Sequence, residues 1–306
     1  MNKKAVETLS TISVSVLIPV YQDTAGLETT LKSLIDAGVR RPDTEIIVCN
    51  DGGGREISRV VSSFAVREAL LEKNQGSYSA RNRGIEIAQG NILAFLDADQ
   101  RVDPGWMDAG IRALDQADYA GGRIVVEPGT EPSVWEEYDV LTAFPVKKYL
   151  EELHFAPTAN LFVRRDVLRK VGLFDERLRS GGDFEFGRRV FAAGFRQTYA
   201  SEAVTYHPAR NRAQQAQKIK RVSEGCADNA CLFQGRKPLL LFINGLIEIG
   251  KVPFETIWRL IGHTFSPSKQ KALSKPIFIV IEEQQKLYSQ WYMARRAFRL
   301  FYNSLA

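Results

Sequence analysis

Apolar and polar positions in the first hundred residues follow two alternating patterns. Short apolar runs at Val14–Val20, 45–49 and 92–96 predict buried strands, because strands of a parallel sheet covered on both faces are apolar throughout. Leucine and isoleucine at helical spacing over residues 27–35 predict an amphipathic helix that ends near Gly38. Strand, helix and strand in this order form a βαβ unit, so the pattern predicts an α/β fold with a Rossmann-like sheet.

The later elements are predicted from the same patterns. A second amphipathic helix is predicted over residues 57–69, followed by a short edge strand at 70–71. Further strands are predicted at 121–128, 158–163 and 204–210. The sheet is therefore expected to take its strands from about the first two thirds of the chain.

Two carboxylates follow the apolar run at 92–96. Asp97 and Asp99 are two residues apart, and because side chains in an extended chain alternate between faces, both carboxylates leave on the same side. Hard divalent cations prefer oxygen ligands, and open α/β sheets bind ligands beyond the carboxyl ends of their strands. The pair is therefore a candidate metal site, but taken alone it is better explained as a solvated polar loop after a buried strand, and the choice depends on the rest of the chain.

Glycine-rich segments exclude one class of enzyme. Residues 52–54 form a Gly-Gly-Gly string after the strand at 45–49, but the spacing G-x-G-x-x-G is absent. This argues against a nicotinamide-binding Rossmann enzyme.

Small residues at 76–80 allow a close approach to the backbone, and Arg81 and Arg83 bring cations to the same surface.

Composition and charge narrow the partners and the compartment. A chain of 306 residues is long enough for one large α/β domain with an appendage, or for two modest domains. The net charge of +5 favours anionic partners such as nucleotide phosphates or acidic lipid surfaces, and does not imply nucleic acid. The three cysteines lack the pattern of a metal or disulfide framework, which favours a reduced, cytoplasmic location. Residues 1–12 are expected to form a flexible tail, and no stretch has the roughly 18 to 20 apolar residues of a spanning helix.

Several long segments resemble, in the right order, the motifs of glycosyltransferase family 2. The resemblance covers roughly residues 14–210 and is carried by VSVLIPVY, EIIVCNDGG, NQGSYSARNRGIEIAQGNILAFLDAD and TANLFVRRDVLRKVGLFDERLRSGGDFEFGRRVFAAGF. It implies a GT-A fold over residues 13–210, a mixed sheet flanked by helices, with a nucleotide-binding half at 13–120 and an acceptor half at 121–210. Residues 211–306 would then form a C-terminal helical extension.

The resemblance also implies an activity. Family members typically transfer a sugar, here a hexose, from a nucleoside diphosphate sugar to an acceptor hydroxyl with inversion, using Mn²⁺ or Mg²⁺. A UDP-sugar is the favoured donor, although Asn50 and Gly53 depart from the usual acidic residue and serine and leave the base open. The expected acceptor is a glycan or a lipid-linked glycan, in the synthesis of cell-surface polysaccharide, lipopolysaccharide or glycolipid.

Single residues receive roles from the resemblance. The residues implied to bind the nucleoside and the donor sugar are Pro19, Tyr21, Asp51, Arg81, Asp97 and Asn160. Asp99 is implied to bind the metal, and His207 to complete its shell, which suits Mn²⁺ better than Mg²⁺. Capping of the following helix remains an alternative role for Asp51.

Asp183 is implied to be the general base that removes the proton of the acceptor hydroxyl. The glutamate that usually precedes it is replaced by Gly182. A helix N-cap is the alternative role, and the two roles conflict, since a helix N-terminus lowers the pKa of a carboxyl whereas base strength benefits from a higher one.

The C-terminal third of the chain is basic and amphipathic. Arg221 lies in a basic segment at 210–221 that is either a solvated helix or a flap over the donor diphosphate. The motif Gln-x-x-Arg-Trp of processive synthases fails at Val222, which favours a single-addition transferase. Helices after residue 238 alternate aromatic residues with arginines, which fits either the interface of an anionic membrane, at its cytoplasmic face, or packing on the catalytic domain or a second copy.

Two other function classes stay open at this point. Gly182 and the basic tail are compatible with a non-catalytic nucleotide-sugar-binding or membrane scaffold protein. A phosphatase using a DxD nucleophile would place its acidic pair on the first strand before threonine or valine, whereas here the pair follows a later strand and precedes Gln100 and Arg101.

Overall fold

A computed structural model describes residues 13–265 and 276–304, and within them the chain forms a mixed α/β structure in two compact units. The first unit consists of residues 13–125, Pro145–Glu176 and Phe186–His207. The second consists of Val126–Phe144, Arg177–Glu185 and the described residues from Pro208 onward. The domain boundaries expected at residues 120 and 210 stay predictions. The expected tail at 1–12 lies outside the described residues.

The strands form one eight-stranded sheet. In chain order they are β1 Val14–Val20, β2 Thr44–Asp51, β3 Arg67–Leu71, β4 Ile92–Leu96, β5 Arg101–Val102, β6 Tyr119–Glu127, β7 Asn160–Arg164 and β8 Gln197–Pro208.

The sheet combines a parallel half with an antiparallel half. Its order is β3-β2-β1-β4-β7-β6-β8-β5, with β1 parallel to β2 and β4, and β2 parallel to β3. Strand β7 pairs antiparallel with β4 and β6, and β5 pairs antiparallel with β8. The carboxyl ends of β1, β2 and β4 therefore meet at one edge. The predicted mixed, Rossmann-like sheet is confirmed.

Helices cover the sheet and form the C-terminal part of the chain. They are α1 Thr24–Asp36, α2 Gly54–Ser63, α3 Ser77–Ile87, α4 Trp106–Ala113, α5 Val134–Thr142, α6 Val146–Lys148, α7 Arg165–Val171, α8 Gly182–Ala192, α9 Arg212–Leu232, α10 Pro238–Phe265 and α11 Pro276–Asn303. A π-helical turn at Tyr149–Leu153 continues α6.

Helix α1 shows why the periodic segment folds as predicted. The Asp23 carboxylate caps the helix by accepting a hydrogen bond from the Gly26 backbone N–H at 2.9 Å. Its apolar stripe, represented by Leu27 and Leu31, is fully buried. Gly38, with φ of 67°, follows the end of the helix in the left-handed conformation that glycine tolerates best.

The helix predicted over 57–69 is wrong in its second half. Helix α2 ends at Ser63, and Ala65 has a positive φ of 50° that reverses the chain into β3. Glu68 on β3 accepts hydrogen bonds from Ser58 at 2.8 Å and from Asn50 at 2.7 Å, so one carboxylate ties α2, β2 and β3 together. The apolar residues continue at helical spacing past residue 63, but these hydrogen bonds and the pairing of β3 with β2 stabilise the strand instead. The prediction of β3 as an edge strand is confirmed.

The predicted C-terminal helical extension is also confirmed. Helices α10 and α11 pack against each other, and α11 packs on α9. Their apolar contacts include a small cluster around Ala227, Leu241 and Ala297, and Phe278 packs on Tyr138 with ring centroids 5.7 Å apart. None of the helices described is both long enough and apolar enough to cross a bilayer.

Candidate functional site

The edge of the sheet where β1, β2 and β4 end carries four of the residues that the sequence predicts to bind the nucleoside. Pro19 is the penultimate residue of β1 and pairs with Cys49 of β2, and the exposed side chain of Tyr21 follows the strand. Asp51 is the last residue of β2, and Asp97 comes directly after β4. Parallel pairing thus brings Pro19, Tyr21, Asp51 and Asp97 to one edge of the sheet.

Asp51 organises the loop that precedes α3. Its carboxylate is buried and accepts hydrogen bonds from the backbone N–H of Gln75 at 2.7 Å, from that of Gly76 at 2.9 Å, and from the Asn74 side chain at 2.9 Å. Helix α2 has Gly53 at its N-cap position, without a side-chain hydrogen bond. Asp51 therefore fixes the 74–76 loop rather than capping α2.

Arg81 connects α3 to the end of β4. Its Nη2 lies 2.7 Å from Oδ1 of Asp97, and its guanidinium carbon lies 5.8 Å from the ring centre of Tyr78. The Arg81 side chain is 4% exposed, whereas that of Asp97 is 37% exposed. The buried guanidinium thus orients a carboxylate that a ligand can still reach.

Helix α3 lies close to the sheet because of Gly84. A Cβ at this position would lie 2.3 Å from Cys49 Sγ and 3.0 Å from a methyl carbon of Leu17. Asn82, two residues earlier, donates to the carbonyl of Phe174 and to the Glu176 carboxylate, both at 2.9 Å. Close packing on one side and these hydrogen bonds on the other hold Arg81 in place.

Asp99 and His207 come together although they are far apart in sequence. Arg101 of β5 pairs with Tyr206 of β8, and this ladder brings the preceding Asp99 next to His207. His207 Nε2 lies 3.5 Å from Asp99 Oδ2, with side chains 4% and 40% exposed. Nitrogen and oxygen ligands of proteins bind small divalent cations at about 2.0–2.2 Å. His207 Nε2 and Asp99 Oδ2 are therefore close enough to contact one cation. Within the described residues no third His, Cys, Asp or Glu joins them.

Asn160 is held entirely by protein groups. Its Oδ1 accepts a hydrogen bond from Trp106 Nε1 at 2.9 Å, and its Nδ2 donates to the carbonyls of Arg123 at 2.9 Å and Ala203 at 2.8 Å. Both amide hydrogens are therefore used, and the side chain is fully buried. Asn160 links α4, β6, β7 and β8, and its contact with a donor sugar stays a prediction. The sequence gives no signal for this structural role of Asn160, because Trp106, whose N–H it accepts, is 54 residues away along the chain.

Asp183 and Arg221 belong to the second unit. Asp183 is the second residue of α8, is half-buried, and its Oδ1 accepts the backbone N–H of Phe184 at 2.9 Å. It therefore lies in the first turn of the helix rather than at the N-cap. Arg221 is exposed on α9, whose start at Arg212 carries a capping box formed by Asn211 and Gln214. The segment 210–221 thus contains regular helix, and its movement over a donor stays a prediction.

Comparison with known proteins decides the family. The sequence profile of "Glycosyl transferase family 2" matches residues 15–172, which is more than half of the chain. The chain belongs to glycosyltransferase family 2. The resemblance inferred from the motifs is confirmed, and glycosyl transfer is the activity that the family carries.

Relatives of this family 2 glycosyltransferase cover most of its length. Glycosyltransferase AglE of Haloferax volcanii is 35% identical over 271 residues, which span 86% of this chain and 84% of AglE. Amylovoran biosynthesis glycosyltransferase AmsB of Erwinia amylovora is 24% identical over 212 residues, spanning 64% of this chain and 70% of AmsB.

Solved structures share the fold at low identity. The mannosyltransferase PcManGT of Pyrobaculum calidifontis, in complex with GDP-Man and Mn²⁺, superposes with a TM-score of 0.56 at 14% identity, covering 96% of this chain and 75% of PcManGT. S. aureus TarS 1–349 superposes with a TM-score of 0.52 at 15% identity, covering 94% of this chain and 92% of that one. The expected GT-A fold is therefore confirmed.

Proposed function

We propose that the chain transfers a hexose from a nucleoside diphosphate sugar to an acceptor hydroxyl, with inversion at the anomeric carbon. The observation that carries the proposal is the Arg81–Asp97 pair at the end of β4, two residues before Asp99, which approaches His207 to 3.5 Å. Asp97, the proposed nucleoside contact, and Asp99, the proposed cation ligand, thus lie two residues apart, and His207 of β8 belongs to the same first unit. The named complex of PcManGT with GDP-Man and Mn²⁺ supports the same ligand class.

The donor is held, in this proposal, by groups at the sheet edge. Pro19, Tyr21 and Asp51 line the nucleoside pocket, and Asp97, oriented by Arg81, binds on the ribose side. Asp99 and His207 would hold the divalent cation, whose chemistry would be to offset negative charge on the leaving diphosphate. Mn²⁺ fits the mixed carboxylate and imidazole set better than Mg²⁺, which prefers oxygen ligands.

The reaction needs one proton transfer and one displacement. Asp183 accepts the proton of the acceptor hydroxyl, the hydroxyl oxygen bonds to the anomeric carbon, and the bond from that carbon to the diphosphate oxygen breaks. A single displacement from the opposite side inverts the configuration. The orientation of both substrates supplies much of the rate acceleration.

Thermal unfolding of the full chain with UDP-sugars and GDP-sugars, each with Mn²⁺ or with EDTA, tests the donor site. A ligand at 100 times its Kd stabilises the folded state by about 2.7 kcal/mol, so the true donor should raise Tm in the presence of Mn²⁺. Asp99→Asn should lose the part of the shift that depends on Mn²⁺. Asp108→Asn, which changes an exposed carboxylate on α4, is the matched control and should keep it.

Different outcomes favour the two other function classes. A donor-induced shift without transfer to any acceptor and without donor hydrolysis would favour a nucleotide-sugar-binding scaffold. Release of phosphate from simple phosphate esters in the presence of Mn²⁺ would favour a phosphatase. Retention of the anomeric configuration in an isolated product, measured by NMR, would exclude the single displacement.

We further propose that α11 binds the surface of an anionic membrane, where lipid-linked acceptors occur. Its exposed face carries apolar and aromatic side chains at helical spacing: Ile277, Val280, Tyr288, Trp291, Phe298 and Tyr302. Arg295 and Arg299 on the same helix are exposed cations for anionic lipid. Co-sedimentation with vesicles of phosphatidylglycerol and phosphatidylcholine should decrease on Trp291→Ser. If this face instead binds a second copy, Trp291→Ser will shift a dimer toward monomer in analytical ultracentrifugation without lipid.

A further inference from the structure

A basic cavity of about 370 Å³ lies in the second unit, on one face of α9. The residues from α9 recur at helical spacing and are Gln217, Lys220, Arg221, Glu224, Gly225 and Asp228. Arg179, from the segment before α8, and Arg296, from α11, complete the lining. Four cations thus face two carboxylates. The volume falls in the range of small-molecule sites.

The walls of this cavity, here called the α9 pocket, are fixed by close packing. A Cβ on Gly225 would lie 2.5 Å from the Ser180 carbonyl oxygen, so glycine at 225 is what lets the 179–181 segment lie against α9. Asn229 Nδ2 donates to the Gly181 carbonyl at 3.3 Å. The pocket is therefore built from two elements in direct contact rather than from side chains that meet in solvent.

Of the cationic side chains in the α9 pocket, Arg296 forms an ion pair with a carboxylate, whereas Lys220 and Arg221 form none within the described residues. Arg296 Nε donates to Asp228 Oδ1 at 2.7 Å, and the Asp228 side chain is only 6% exposed. Lys220 and Arg221, in contrast, form no ion pair with any carboxylate in the described part of the chain. The Arg296–Asp228 pair thus forms a rigid wall, and Lys220 and Arg221 supply the positive excess.

Phosphate groups suit this arrangement better than carboxylates do. A guanidinium donates two parallel hydrogen bonds to either anion, and an ammonium adds a point charge. A phosphate carries about 1.5 to 2 negative charges and three acceptor oxygens, so it can pair with several cationic side chains at once. Arg221 and Lys220 offer both kinds of donor, and Arg179 lies beside them in the lining of a volume larger than one phosphate needs. Gln217 adds a neutral donor for an ester or bridging oxygen.

We propose that the α9 pocket binds a phosphate or diphosphate group carried by the acceptor. The inference rests on the proposed glycosyl transfer with Asp183 as base. Arg179 and Asp183 are four residues apart on one segment, so they are separated by at most about 14 Å even in an extended chain. An acceptor whose phosphate contacts Arg179 can therefore bring a nearby hydroxyl to Asp183. Arg221, for which the sequence leaves a solvated helix and a flap over the donor diphosphate as alternatives, is thereby assigned to the acceptor.

The test uses the full chain and inorganic pyrophosphate as the probe, titrated by calorimetry at 150 mM salt with EDTA. EDTA removes the cation that the donor site requires, so that site does not compete. Lys220→Gln with Arg221→Gln should weaken the pyrophosphate Kd by about tenfold or more, since two charge-assisted contacts are lost. Arg236→Gln with Lys237→Gln removes the same charge from an exposed site outside the pocket and should change Kd by less than about twofold.

Two vesicle arms identify the source of the phosphate. Binding to phosphatidic acid in phosphatidylcholine vesicles that falls in the Lys220/Arg221 variant, but not in the Arg236/Lys237 variant, supports a lipid phosphate. Pyrophosphate binding without pocket-dependent binding to these vesicles supports a water-soluble phosphorylated acceptor. Absence of pyrophosphate binding by the wild-type chain, or equal weakening in both double variants, overturns the proposal.

The donor-induced thermal shift separates this proposal from the proposed function. If the Lys220/Arg221 variant keeps the donor shift and loses pyrophosphate, the pocket belongs to the acceptor. If the variant loses the donor shift, Arg221 belongs to the donor site and the reassignment is wrong. If the wild-type chain gives no donor shift, the proposed function fails and the acceptor assignment falls with it, even where pyrophosphate still binds.

Discussion

Arg81 Nη2 lies 2.7 Å from Asp97 Oδ1, and this ion pair joins a buried cation to a carboxylate that solvent can reach. The pair connects α3 to the end of β4, two residues before the metal-site candidate Asp99. The relationship makes Arg81 a positioning residue, because its guanidinium fixes the carboxylate on which nucleoside binding is proposed to depend.

Replacement of Arg81 by methionine tests whether the guanidinium positions Asp97 or only adds positive charge to the surface. Arg81→Met keeps an unbranched apolar stem but removes the guanidinium and its hydrogen bonds, and should lower the free energy of unfolding by about 1–3 kcal/mol. Urea denaturation measures this change, and the donor-induced thermal shift should fall in the same variant.

Arg83→Met on the same helix is the control for Arg81→Met. Arg83 is exposed and, within the described residues, its only ion pair is with Glu86, one turn away. Its replacement should therefore change the free energy of unfolding by less than about 0.5 kcal/mol. Equal losses in the two variants would show that the buried pair has no special role.

Asp183→Asn should abolish transfer while donor binding persists. The amide is nearly isosteric but cannot accept the hydroxyl proton, so kcat should fall by about 10²- to 10⁴-fold. Transfer is followed with a radiolabelled donor, and donor binding by thermal shift. Glu185→Gln, in the same first turn of α8, changes a neighbouring carboxylate and should retain activity. Unchanged turnover in Asp183→Asn would remove Asp183 as the base.

The parallel half of the fold was predictable because its information is local. Strands β1 and β4 are short apolar runs, and α1 has a polar cap and an apolar stripe within one segment. The boundary between α2 and β3 was missed because it depends on the left-handed Ala65 and on the ladder with β2, which lie outside a helical-repeat analysis.

The candidate site likewise combines residues that local sequence predicts with contacts that only the tertiary structure determines. Asp97 and Asp99 follow from the alternation of side chains after β4, but the partner of Asp99 does not, since His207 reaches it only through the pairing of β5 with β8. Similarly, nothing around Asn160 indicates that Trp106 and two carbonyls use its amide. Motif resemblance identified residue types and positions, whereas tertiary pairing determined their contacts.

Gly84→Ala should destabilise the first unit. The new methyl group would lie 2.3 Å from Cys49 Sγ, in the buried contact between α3 and the sheet, so the backbone must shift. Overpacking of this kind costs about 1–3 kcal/mol, measurable by urea denaturation. Gly250→Ala is the matched control, since a Cβ there meets no atom of the described residues within 4 Å and alanine favours an exposed helix by up to about 1 kcal/mol. A neutral Gly84→Ala would mean that α3 can move away from the sheet at little cost.

Lys218 should make the stability of the second unit depend on pH. Burial lowers its pKa to about 8, repulsion from Arg210 and Arg221 acts in the same direction, and Asp139 opposes the shift. Because the lysine of an unfolded chain titrates near pH 10.4, the unfolded state binds more protons between about pH 8 and pH 10.4. The contribution of Lys218 to the free energy of unfolding should therefore rise with pH across this window. Below pH 8 the half-buried ammonium is charged in both states. The free energy of unfolding of Lys218→Met, relative to that of the wild type, should therefore be highest below pH 8.

Urea denaturation of the wild type and Lys218→Met at pH 7.0 and pH 9.5 measures this dependence. The stability of the variant relative to the wild type should decline as pH rises, since the wild-type amine loses its unfavourable charge. Lys220→Met, which removes an exposed ammonium two residues away, should give a difference that does not change over the same range. If both differences are independent of pH, the Lys218 ammonium is solvated as well as that of Lys220, and its burial beside Arg210 has no energetic consequence.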